Sequence, residues 1–92
     1  MTSSQELDEL RRGIDAIDRQ ILKLVHDRIR LVMQVGEYKR ARQLPVYDPE
    51  RERQLLDRLS SAAEPPLDGP TIRRIFERLV DESRRIEQHH VE

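Results

Sequence analysis

Ninety-two residues suffice for one domain, 1–92, near the lower limit for a self-sufficient core, and 36% hydrophobic against 38% charged residues leaves little for a large monomeric one. Seventeen basic and eighteen acidic residues give a net charge of −1, so no global field draws nucleic acid or an anionic membrane and any basic site must be local. Cysteine is absent, which excludes disulfides and thiolate metal sites; no run approaches eighteen apolar residues and Met1 to Arg12 holds no apolar leader, so a cytoplasmic soluble protein is expected.

The chain opens on a frayed start, Met1 to Gln5, in which Ser3 or Ser4 suits a helix cap and Glu6, Asp8 and Glu9 suit the positive helix end. From Leu7 to Arg42 the apolar residues Leu7, Leu10, Ile14, Ile17, Ile21, Leu24, Leu31, Val35 and Tyr38 alternate by threes and fours. That spacing predicts one helical face held over five heptads, widened by Val25 and Val32. Thirty-six residues of helix span about 54 Å, whereas a compact 92-residue globule is about 32 Å across. The overhang carries leucine and isoleucine, so a second chain must cover it, and an obligate dimer is expected.

Leu44 precedes Pro45 and leaves the α region, which ends the long helix near Arg42–Gln43. After a short loop, Asp48 as cap, Pro49 and Glu50 open a second helix, Pro49 to Ala63, with Leu55, Leu56 and Leu59 on one side. Glu64-Pro65-Pro66 stops it. Asp68 caps a third helix carrying Ile72, Ile75, Phe76, Leu79, Val80 and Ile86, which frays near His89. No strand, repeat or low-complexity tract is present. The expected fold is all-α, with three helices per chain (one very long) and six in an intertwined homodimer.

The polar residues that interrupt these apolar faces carry the functional signal. Arg28 fills the heptad slot between Leu24 and Leu31, where a buried guanidinium is costly unless paired or bound; fixing the dimer register is the structural alternative. Lys39 lies eleven residues on, rotated by only about 20° and about 16 Å along the axis. Gly36, between them, leaves room for a ligand or for close packing of another helix. On the third helix the apolar stripe continues through Ser83 and Glu87, either as site residues or as a small packing residue and an acid paired with an arginine such as Arg84. Arg51 and Glu52 follow the Asp48 cap, where a solvated ion pair is the ordinary explanation. Cations, an acid, a hydroxyl and a helix N-terminus beside apolar walls suit a small dicarboxylate, which arginine binds bidentately. No nucleophile–base pair, metal-ligand spacing or phosphate-cradling glycine loop is present, so a catalytic site here would act by electrostatics and by holding a reactive conformer. His26, His89 and His90 read as surface residues.

The pattern L-x-x-L-R-x-x-I-x-x-I-D in Leu7 to Asp18, the Arg28 slot, V-G-x-x-K in Val35 to Lys39, P-V-Y-D-P-E-R-E in Pro45 to Glu52 and I-F-x-x-L-V-x-x-S in Ile75 to Ser83 resemble the all-helical class of chorismate mutases. The resemblance implies a homodimer with two sites, each taking Arg11 from the partner; Arg11 lies about 25 Å along the axis from Arg28, too far to share a small ligand within one chain. It further implies that Arg28 and the partner's Arg11 hold the two carboxylates with Ser83 and Arg51. Lys39 would donate to the ether oxygen and a carboxylate, and Glu52 and the Asp48 backbone N–H would orient the ring hydroxyl. The implied reaction is the cofactor-free rearrangement of chorismate to prephenate, on the route to phenylalanine and tyrosine, by a stand-alone enzyme that needs no metal, nucleic acid or membrane.

The chain departs from the pattern at Glu87, where many bacterial members have a glutamine whose amide donates to the ether oxygen. A carboxylate donates only when protonated, so activity is expected to fall as pH rises and Glu87→Gln to flatten the profile. Gly13 is a smaller departure, affecting local helix stability. The rivals are an isochorismate pyruvate-lyase, which shares the architecture, and a non-catalytic helical dimerisation or regulatory module. The intact D-P-E-R-E segment favours the mutase over the lyase.

Overall fold

A computed structural model describes residues 3–90, which form three α-helices and, among those residues, no strand: α1 (Ser3–Ala41), α2 (Pro49–Ser61) and α3 (Gly69–His90). The chain divides into two compact units, Met1–Leu31 and Val32–Glu92.

In the first unit α1 carries local ion pairs. Asp27 accepts from Lys23 and Arg30, i,i+4 and i,i+3 pairs on a solvated face. The heptad face is bare, from Leu7 at 46% exposed to Leu10 at 68%, with Ile14, Ile17, Ile21, Leu24 and Leu31 in that range. Burying such a side chain stabilises by about 1.5–3 kcal/mol, so the face is strongly adhesive. Nothing approaches within 4 Å of a Cβ placed on Gly13, so that glycine costs only helix propensity, about 1 kcal/mol. The helix already includes Ser3, so neither Ser3 nor Ser4 is its cap, and position 2 lies outside the described residues. The polar extra turn is made by backbone hydrogen bonds, to which the apolar period is blind.

The second unit holds the end of α1, then α2 and α3. The α1 end is a Schellman closure: Leu44 N–H donates to Lys39 O at 2.8 Å and Gln43 N–H to Arg40 O at 3.1 Å. Gln43 takes the left-handed position, φ 57°, where glycine is usual. The Arg42 guanidinium folds back over the Tyr38 ring, 3.6 Å from its centroid.

Both later helices start on an aspartate cap. Arg51 N–H donates to Asp48 Oδ1 at 3.1 Å, and Thr71 N–H to Asp68 Oδ1 at 2.8 Å. Hydrogen bonds from the Thr71 side chain and backbone hold the Asp68 carboxyl below its ordinary range. α2 stops at Ser61, two residues before the expected Ala63. There Ala62 and Ala63 N–H turn back to Leu59 O and Ser60 O, tightening the last turn to i→i−3 bonds. α2 packs on α3, and Leu55, Leu56 and Leu59 of α2 and Ile72, Phe76 and Leu79 of α3 are half-buried. Arg73 on α3 bonds Asp57 and Ser60 on α2. Among the described residues the only buried apolar side chain is Val80, while Ser83 and Glu87 on the same helix are buried and polar.

Candidate active site

Arg11 and Arg28 belong to the first unit, Arg11 exposed and Arg28 half-buried. The remaining sequence candidates lie in the second. At their centre is the approach of α3 to the end of α1. Glu87, 8% exposed, lies against Gly36: a Cβ there would stand 2.6 Å from Glu87 Oε1 and 3.0 Å from its Cγ and Cδ. What meets Gly36 is a side chain from another helix, that of a site candidate. Glu87 Oε1 is buried with no hydrogen-bond partner in this structure. A buried polar oxygen left so is costly.

Ser83, one turn before Glu87 and 4% exposed, donates to Leu79 O at 2.6 Å. Lys39, three residues after Gly36 and on its side of α1, donates from Nζ to Val46 O at 3.3 Å, so the half-buried ammonium is held at the α1–α2 loop. Asp48 caps α2, and Arg51 and Glu52 occupy its first turn, Arg51 exposed and Glu52 half-buried.

The structure corrects two pairings. Glu87 does not pair with Arg84, and Glu52 is not simply a solvated acid beside Arg51: Arg84 crosses from α3 and donates from one nitrogen to both Glu52 oxygens, to Oε2 at 2.7 Å. The Arg84 guanidinium also lies over the Tyr47 ring, 4.4 Å from its centroid. The Glu52 hydrogen bonds raise the Arg84 pKa above its ordinary value, so the guanidinium stays charged. Sequence reasoning missed Arg84 and Tyr47 as a cluster. The partners are thirty-two residues apart, and a charge pair between helices leaves no period. The available signal was that Arg84 adjoins Ser83 on the face turned to α2.

His26 and His89 are exposed, and no group of three His, Asp or Glu gathers among the described residues. No helix among them is long and apolar enough to cross a membrane.

Three helices, with a glycine of the first facing a buried carboxyl of the third, define an all-helical domain. Residues 10–88 match the family described as chorismate mutase type II, and the chain belongs to that family. A chorismate mutase from Methanocaldococcus jannaschii is 34% identical over 89 residues, covering 96% of this chain and 90% of that one. The bifunctional chorismate mutase/prephenate dehydratase of Aquifex aeolicus is 44% identical over 55 residues, but they are 60% of this chain and only 15% of that protein. A 4-amino-4-deoxychorismate mutase from Streptomyces pristinaespiralis is 30% identical over 90 residues, 97% of this chain and 70% of that one. Among solved structures, chorismate mutase from Thermus thermophilus superposes with a TM-score of 0.87 at 34% identity, over 90% of this chain and 94% of that one. That of Helicobacter pylori, in complex with prephenate, gives 0.85 at 26% identity, over 95% and 94%.

Proposed function

We propose that residues 1–92 act as one catalytic domain that rearranges chorismate to prephenate, as a homodimer in the cytoplasm, on the route to phenylalanine and tyrosine. The observation that carries this reading is the Gly36–Glu87 approach, in which a glycine makes space for a buried carboxyl whose Oε1 has no partner in the protein. Relatives named for this activity, and a structural neighbour solved with its product, support the choice of substrate.

Arg28 and the partner subunit's Arg11 grip the two carboxylates, with Ser83 and Arg51 assisting. Lys39 reaches the ether oxygen, and Glu87, protonated, donates to the same atom. Glu52 and the Asp48 N–H orient the ring hydroxyl. The reaction breaks the ether C–O bond and makes a C–C bond within one molecule, so it needs no nucleophile or cofactor. Negative charge gathers on the ether oxygen as that bond stretches, and prearranged donors that meet it there lower the barrier. The bare heptad face supports the dimer, because those leucines and isoleucines are exposed in the single chain.

Incubation with chorismate and, separately, isochorismate tests the reading. Prephenate from the first is expected, with kcat/KM reduced about 10²–10³-fold or more in Arg28→Ala. Salicylate and pyruvate from isochorismate, with chorismate untouched, would overturn it; so would no turnover of either.

A further inference from the structure

The mechanism above leaves Arg84 unused, although it is the guanidinium that engages Glu52. We propose that Arg84 is a positioning residue that sets substrate specificity: by balancing the Glu52 charge it tunes the ring-substituent site for a neutral hydroxyl and against a protonated amine. The inference rests on the reading that Glu52 meets the ring hydroxyl.

Among the described residues two ion pairs join α2 to α3, and Arg84–Glu52 is the less exposed of them, Arg73–Asp57 standing at 35% and 49%. Arg53 and Glu50, within the first turns of α2, are each 60% exposed. Arg84 and Glu52 are 33% and 21% exposed, join two helices, and are backed by the Tyr47 ring. Charges withdrawn from water in this way interact strongly and are weakly screened. Alone there, the Glu52 carboxylate would attract a cation before a neutral group. With Arg84 on both its oxygens the local charge cancels, while the remaining carboxylate lone pairs still accept an O–H. An ammonium at the same point would face the Arg84 guanidinium as well, and like charges close together disfavour the wrong ligand. The Tyr47 ring beneath the guanidinium adds a cation–π contact that favours this placement beside Glu52.

The choice is a real one for this fold. The Streptomyces pristinaespiralis relative, aligned over nearly the whole chain, is named for a substrate that carries an amine in place of that hydroxyl. Helices of this kind therefore serve either substituent, and a charge beside the ring position is a sufficient way to choose.

The test compares chorismate with 4-amino-4-deoxychorismate as alternative substrates, reading the ratio of their kcat/KM values. A ratio measured on one preparation is insensitive to the fraction folded. Arg84→Met is expected to shift it towards the amine by about tenfold, the scale of one charge-assisted contact, and Arg84→Lys to keep it within about threefold of the parent. Glu52→Gln is expected to move it the other way, because Arg84 then stands uncompensated. An unchanged ratio in Arg84→Met overturns the proposal. Should Arg84→Met not fold, an unchanged ratio in Glu52→Gln overturns it equally. Failure of the parent chain to convert chorismate overturns the functional reading itself, and this inference with it; an active parent with unresponsive variants overturns the inference alone.

Discussion

The two units solve the burial problem in opposite ways. Val32–Glu92 closes on itself: α2 and α3 are tied by Arg73 to Asp57 and Arg84 to Glu52, and Val80, Ser83 and Glu87 are withdrawn from solvent. In Met1–Leu31 the leucines and isoleucines of the heptad face, Leu7 to Leu31, are exposed. A helix this long and this bare cannot stand on intrahelical bonds, because most helix stability in water comes from packing an amphipathic face. One unit thus withdraws polar groups from solvent, and the other leaves an apolar surface open.

The sharpest way to break that contrast is to charge the bare face. Ile17→Asp removes an apolar contact and sets a carboxylate in the expected seam, at a cost of about 3 kcal/mol or more per chain, counted twice in a symmetric pair. Sedimentation is expected to show dissociation, with loss of activity; an unchanged assembly would detach the face from the dimer.

Gly36→Ala probes the other unit. The added methyl takes the space of Glu87 Oε1, Cγ and Cδ, so the carboxyl arm must swing aside while α1 gains helix propensity. The rate is expected to fall about tenfold to a hundredfold with little change in melting temperature, since misplacing a reacting group by about 1 Å is that expensive. A smaller expected effect concerns proton supply. The Glu87→Gln amide donates without first taking up a proton, so its rate is expected to match or exceed the parent's. A rate lost in Glu87→Gln would remove the residue from that role. Least in size is Gln43→Gly, which relieves the left-handed residue closing α1 and should raise stability by about 0.5–1 kcal/mol in denaturant titration.

Much of this was readable from residue order. The three- and four-residue spacing from Leu7 to Tyr38, Pro45, and the Asp48-Pro49 and Asp68 start signals located all three helices to within a few residues, because each signal is local. The polar interruptions Ser83 and Glu87 were legible as breaks in a stripe, and both are buried. What escaped was non-local. Gly36 announced vacant space without naming its occupant, and the Arg84–Glu52–Tyr47 cluster joins a loop and two helices through groups that any solvated surface also carries. The helix ends missed by a few residues, at Ser3 and Ser61, are turns held by backbone bonds rather than by side-chain pattern.

The account depends most on the first unit of one chain completing the site of another. Arg11→Ala and Arg28→Ala chains, each nearly inactive alone, should restore activity when unfolded, mixed and refolded together. Random pairing makes about half the dimers mixed, and in each of these one of two sites regains both arginines, so about a quarter of the parental activity is expected. A mixture no more active than its separate components would contradict the shared site.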